Sequence, residues 1–139
     1  MNAPIDEVWT VLQDIPRLGG LFPGVKQIEQ LTPVSYRGEL IVKVGPLRSS
    51  FRGEAQILEQ DPPKRLVAEV HGEDRATQTT VKVRFDGSLS PVAEGTRLEY
   101  TADIALRGRL AQFGTAVIHT TAKRLTAEFA NKLREELEA

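Results

Sequence analysis

The chain has 139 residues, Lys+Arg 18 against Asp+Glu 19, and no cysteine. That length suits one domain spanning 1–139, large enough to bury a core without covalent staples. Near-neutral charge argues against a nucleic-acid partner, because phosphate neutralisation needs a basic surplus. The absence of cysteine excludes disulfides, thiolate chemistry and Cys-based zinc sites.

Met1-Asn2-Ala3-Pro4 is not a basic region followed by an apolar run, so no signal peptide is expected there. No apolar stretch approaches the length that crosses a bilayer. These features together predict a soluble, cytoplasmic chain.

Pro4 to Leu12 predicts a helix. Proline suits a first turn, Asp6 and Glu7 suit a helix N-terminus, and Ile5, Val8, Trp9 and Leu12 share one face. A second short helix is expected from Pro16 to about Phe22, ended by Pro23-Gly24.

Alternating segments follow. Tyr36, Gly38, Leu40, Val42 and Val44 fall on one face, with Arg37, Glu39 and Lys43 on the other. After Gly45-Pro46 the inward set continues with Leu47, Phe51, Ala55 and Ile57. Asp61-Pro62-Pro63 is a stop. Leu66, Ala68 and Val70, then Val81, Val83, Phe85 and Leu89, then Leu98, Tyr100, Ala102, Ile104 and Leu106 repeat the pattern. Period-two alternation with one charged face predicts an antiparallel sheet of about six strands, wet on one side.

The dry face needs a cover. From Leu110 to Leu137 there is no proline, and Leu110, Phe113, Gly114, Val117, Ile118, Thr121, Leu125, Phe129 and Leu133 recur at steps of three and four. A helix over that span would be roughly 40 Å long at 1.5 Å per residue, enough to lie across the sheet. The fold class is therefore α+β, with a curved antiparallel sheet around a long C-terminal helix.

Ala3-Pro4 to Val8-Trp9, Pro23-Gly24, Lys43-Val44-Gly45-Pro46, Phe51-Arg52-Gly53, Asp61-Pro62-Pro63, Gly95-Thr96 and Gly108-Arg109-Leu110-Ala111-Gln112-Phe113-Gly114 stand in one order. Together they resemble the carbon monoxide dehydrogenase G-subunit family of the START-like (SRPBCC, Bet v 1-like) superfamily. The resemblance implies a helix-grip fold with a cavity between sheet and helix. It also implies a lipophilic guest such as a quinone, and an accessory role beside a molybdenum hydroxylase. No catalytic residue set comes with it, and no cofactor. Relatives begin with a strand before the Ala-Pro segment; here only Met1 and Asn2 precede it, so the expectation is either that this N-terminal strand is absent or that the start lies inside the ancestral domain. An absent strand would expose an edge, which predicts a partner chain, a homodimer among the options, or an opening into the pocket.

The candidate ligand-binding residues are Trp9, Phe22, Phe51, Phe85, Tyr100, Phe113, Gly114, Val117 and Thr121. The large apolar groups read first as core. Small inward residues, Gly38, Gly53, Ala55, Ala68 and Ala102, either leave cavity volume or let the helix sit closer. Gly114 inside the helix should cost about 0.5–1 kcal/mol relative to alanine, for a strand's close approach or for a kink at the pocket mouth. Thr121 is placed to orient a guest carbonyl, while His119 is expected in solvent.

His71 and His119 lie in different elements, which makes a poor metal site. Neither a Gly-x-Ser-x-Gly elbow nor a cysteine nucleophile is present. Glu39, Glu54, Glu69, Glu99 and Asp103 fall on the charged face, leaving Tyr36 and Tyr100 as inward groups with an acidic proton. Arg37, Lys43, Arg48 and Arg52 read as a solvated face or as a dock for an acidic partner. Three functions compete: a non-enzymatic carrier of a hydrophobic small molecule, a polyketide cyclase/aromatase-like enzyme, and an interaction module for hydroxylase assembly.

Overall fold

The computed structural model describes residues 1–138. Two short helices, α1 (Ile5–Gln13) and α2 (Ile15–Gly20), precede six strands and a last helix. The strands are β1 (Val25–Thr32), β2 (Ser35–Val44), β3 (Leu47–Asp61), β4 (Arg65–Asp74), β5 (Thr79–Val92) and β6 (Gly95–Arg107). They form one antiparallel sheet in sequence order. A short 3-10 turn, Arg109–Phe113, leads into α3 (Thr115–Glu138).

Pro4 is the N-cap of α1 rather than part of its first turn, with Asp6 and Glu7 just inside and Val8, Val11 and Leu12 buried. Asp14 separates the two helices and caps α2 by accepting a hydrogen bond from the Arg17 amide. β1 escapes the alternation rule for a local reason. Gln27 has φ 55, and the pairing register with β2 shifts between Lys26 and Glu29. Such a bulge throws the side chains out of period two, so Val25 and Ile28 are the half-buried residues of this strand.

The C-terminal helix starts later than its stripe of apolar residues suggests. Leu110 and Phe113 belong to the 3-10 turn, and Gly114 breaks the chain with φ 89 and ψ 163. That backbone region is open to glycine and strained for other residues. A Cβ at Gly114 would meet nothing within 4 Å. Neither a strand's close approach nor a mid-helix kink explains the residue; the chain reversal into α3 does. Gly114→Ala should cost about 1–3 kcal/mol through backbone strain alone, read as a lower urea midpoint with unchanged slope.

Two apolar clusters hold the layers together. The first joins Ala3, Val8 and Leu12 to Tyr36, Ile57, Leu66 and Leu89 of the sheet, with Leu137 of α3 packed against it. The second joins Val42, Val44 and Phe51 to Leu110, with Phe113, Val117 and Leu125 packed against it. The end of α3 is latched further. Arg17 on α2 places two guanidinium nitrogens on Glu136, at 2.8 and 2.5 Å, and the Asn2 amide donates to Glu138 at 2.9 Å.

Candidate functional site

Strand register lays out the concave face row by row. Gly38 pairs with Gly53, Gly53 with Gly72, and Gly72 with Val81. The next row runs Ala55, Val70, Val83, Ile104, and the one after it Ile57, Ala68, Phe85, Ala102. Beyond these, Leu66 pairs with Gly87 and Gly87 with Tyr100. The floor between the two clusters is thus mostly glycine, alanine and valine, with Phe85 and Tyr100 as its large groups. Gly53 is small for a backbone reason, because a Cβ there would run into the His71 carbonyl oxygen. The consequence is the same: no side chain rises from the three-glycine row.

The roof is α3, and it meets the sheet on the β2 side. Val117 and Leu125 pack with Val42 and Val44, and Arg124 donates to the Lys43 carbonyl at 3.4 Å. Phe129 of α3 meets Phe22 with ring centroids 5.6 Å apart. The β4–β6 side is left uncovered. Val70 is 38% exposed, and Tyr100 and Ile104 are each 46% exposed, although all three belong to the concave face. The seam between helix and sheet is closed along β2 and open along β6.

The nine candidate residues fall into separate places. Phe85 and Tyr100 lie side by side on the open floor, stacked at 5.8 Å and 27°. Phe22 forms part of the helix contact just described. Phe51 is buried in the second cluster, with Phe113 and Val117 packed against it. Trp9 packs on the first cluster, at the α1 end. Val117 and Thr121 border a different hollow of about 480 Å³, shared with Lys43, Gly45, Ala116, Thr120 and Arg124. The Thr121 hydroxyl donates to the Val117 carbonyl of its own helix at 3.0 Å, which occupies its proton. Tyr36 turns its hydroxyl to the Pro33 carbonyl at 3.5 Å, beside the β1–β2 turn.

One buried polar group stands outside the set expected from the sequence. Asp74, at the end of β4, is 5% exposed. It accepts hydrogen bonds from Ser49 Oγ at 2.5 Å, Thr77 Oγ1 at 2.9 Å, the Ala76 amide at 3.0 Å and the Ser50 amide at 3.3 Å. Thr79 extends the network and accepts from the Leu110 amide at 3.2 Å, tying the β4–β5 turn to the 3-10 turn. Burial pushes the Asp74 carboxyl up, but the hydrogen bonds from Ser49, Thr77, Ala76 and Ser50 outweigh it and hold the carboxyl below the usual aspartate range. Ser49, Asp74 and Thr79 all stand at inward positions of their strands; a polar residue in phase with the apolar ones was the available signal.

On the convex face the charges interleave. Arg37 meets Glu54 at 3.4 Å, and Arg52 pairs in register with both Glu39 and Glu73. The four basic residues are therefore part of a mixed, solvated surface. Glu69 accepts from His71 at 2.6 Å and has Lys82 at 3.6 Å. The His71 hydrogen bond is the main cause that holds its carboxyl below the usual range. Among the described residues, no three His, Asp or Glu side chains come together as a metal-binding group. Among the same residues, no helix is long and apolar enough to cross a membrane.

A curved antiparallel sheet with a C-terminal helix laid along its concave face defines the helix-grip fold. The family model for the carbon monoxide dehydrogenase G-subunit (CoxG) matches residues 1–138, and the chain belongs to that family. Solved structures agree on the fold. A conserved protein from Geobacillus kaustophilus is similar with a TM-score of 0.90 at 23% identity, over 99% of this chain and 90% of that one. The Zhui aromatase/cyclase from Streptomyces sp. R1128 is similar with a TM-score of 0.69 at 16% identity, over 99% of this chain and 88% of that one. TTHA0849 from Thermus thermophilus is similar with a TM-score of 0.68 at 13% identity, over 99% and 91% of the two chains. No curated protein matches the chain.

Proposed function

We propose that this chain binds a hydrophobic small molecule, lipid- or quinone-like, between the concave face and α3, as an accessory to a carbon monoxide dehydrogenase-type molybdenum hydroxylase. The observation that carries the reading is the uncovered apolar floor. Val70, Tyr100 and Ile104 point into the sheet's concavity yet stay 38–46% exposed. Leaving such groups wet forgoes about 25 cal/mol per Å² of burial, and an apolar guest recovers it. The Phe85–Tyr100 pair offers a flat aromatic shelf beside small residues, the composition of a site that grips by shape with few polar contacts. Membership of the CoxG family supports the hydroxylase as the protein this carrier serves.

The competing readings draw less support. A cyclase needs an acid–base pair facing the guest. Asp74 is the buried carboxylate, and its oxygens are engaged by Ser49, Ser50, Ala76 and Thr77. A pure interaction module would pack its helix flush on the sheet, and the exposure of Ile104 and Tyr100 is at odds with that.

Organic extraction of the purified protein followed by mass spectrometry tests the carrier reading. A stoichiometric apolar compound, or uptake of an added long-chain quinone with quenching of tyrosine fluorescence, is the expected result. Failure to find or load any guest across a panel of lipids and quinones removes the reading.

A further inference from the structure

Two glycines of the concave face are small for different reasons. Gly53 is held to glycine by backbone, since a Cβ there would run into the His71 carbonyl. Gly87 is not. The atoms nearest a Cβ at Gly87 would all be side chain: Phe85 Cε1 and Cζ, each at 2.8 Å, and Leu98 Cδ1 at 3.6 Å. Nor does Gly87 have the positive φ of Gly24, Gly45, Gly95, Gly108 and Gly114. Its backbone would accept a side chain; the Phe85 ring stands in the way.

That ring comes from the row before. In register, Phe85 stands between Ala68 on β4 and Ala102 on β6, whereas Gly87 stands between Leu66 and Tyr100. Side chains in strands lean along the strand direction, and the Phe85 ring leans over Gly87 into the next row. There it stacks on Tyr100, with centroids 5.8 Å apart at 27°. Its own row, beside the Ala68 and Ala102 methyls, is left low.

We infer that Gly87 is the positioning residue of the cleft: by ceding its place to the Phe85 ring, it keeps that ring off the Ala68–Ala102 row and so sets the bulk of guest admitted. The inference rests on the carrier reading and adds to it the residue that decides which guests fit. The aromatic shelf is then the consequence of a missing side chain, and not of the two aromatic residues alone. A methyl at position 87 must move the ring, because 2.8 Å is well inside the carbon–carbon contact distance of about 3.5–4.0 Å. Position 87 itself is fixed on both sides by pairing with β4 and β6, so the ring yields and the backbone does not. Staggered side-chain positions are few, and the low ground lies over Ala68 and Ala102. A ring displaced there stands in the guest's space.

Gly87→Ala tests this with one added carbon. In guest-free wild type, nuclear Overhauser contacts should run from the Hζ proton at the tip of the Phe85 ring to the Gly87 Hα protons. In Gly87→Ala they should pass to the Ala68 and Ala102 methyls, with the urea midpoint little changed. Nile red, a flat uncharged dye, should bind Gly87→Ala about tenfold more weakly than wild type. Removing the ring should cancel the effect: Phe85→Leu should bind the dye equally with and without Gly87→Ala. A general loss of structure would not be rescued in that way. A wild-type ring tip that contacts the Ala68 and Ala102 methyls overturns the inference before any variant is made. So does wild-type affinity in Gly87→Ala, or a loss that persists in the Phe85→Leu background; these results leave the carrier reading standing. If wild type takes up neither Nile red nor any other apolar probe, the carrier reading fails and this inference falls with it.

Discussion

Asp74→Ala should cost the fold about 3–5 kcal/mol, the order expected when a buried, fully engaged carboxylate is deleted and its donors are left behind. Four donors converge on this side chain, and two of them are backbone amides. Alanine removes the acceptor of the buried Ser49 and Thr77 hydroxyls and of the Ser50 and Ala76 amides. Asp74→Asn should cost less, about 1–3 kcal/mol, yet more than a surface change. Whichever way the amide sits, its NH2 group faces a backbone N–H, because Ser50 and Ala76 address different oxygens. Urea unfolding of both variants measures the ranking. Equal stability of Asp74→Ala and wild type would mean that the turn is not held by the carboxylate.

The sign of the pH effect follows from the same geometry. The folded-state pKa of Asp74 is lowered, so the unfolded chain takes up its proton first as pH falls. The stabilisation is fully present above the ordinary aspartate range and is lost as pH drops through the depressed folded value. Glu69 and Asp86 are lowered in the same direction, chiefly by hydrogen bonds from His71 and Arg65. Acid unfolding of wild type should therefore be steeper than that of Asp74→Asn, which lacks this buried contributor.

Period two made β2 to β6 legible because each strand has one dry face and one wet face, and the register confirms the inward sets from Tyr36 to Leu106. β1 was not legible, since the bulge at Gln27 replaces alternation by spacing that resembles neither a strand nor a helix. The start of α3 was blurred for the opposite reason. Leu110 and Phe113 fit the helical stripe because a 3-10 turn also brings every third residue to one side, and both pack in the second cluster. Small inward residues announced a thin floor, but could not say whether α3 would descend onto it. That depends on where the helix is pinned, through Phe22, Arg17 and the residues around Val117, and these contacts join segments about a hundred positions apart in the chain. The inward polar set of Ser49, Asp74 and Thr79 was in plain phase with the pattern. A reading that follows only apolar residues passes over it.

Filling the floor separates a cleft that works from one that is merely open. Ala68 lies in the middle row, paired with Ile57 on one side and Phe85 on the other, and is half-buried beneath the uncovered stretch. In Ala68→Trp the indole would occupy the space beside the Phe85–Tyr100 shelf. Guest affinity should fall at least tenfold, roughly 1.4 kcal/mol or more. Stability should change by less than about 3 kcal/mol, because the added ring enters space that solvent or guest now fills and not a packed core. Ile104→Ser provides the complementary change. It removes an exposed wall group without narrowing the cleft, so it should weaken an apolar guest by the lost contact area while tolerating bulkier ones. Titration of an added quinone or fatty acyl probe into wild type, Ala68→Trp and Ile104→Ser measures all three. If Ala68→Trp binds as tightly as wild type while remaining folded, the guest does not sit between β4–β6 and α3. The exposed Val70, Tyr100 and Ile104 would then have to be explained by protein contacts instead.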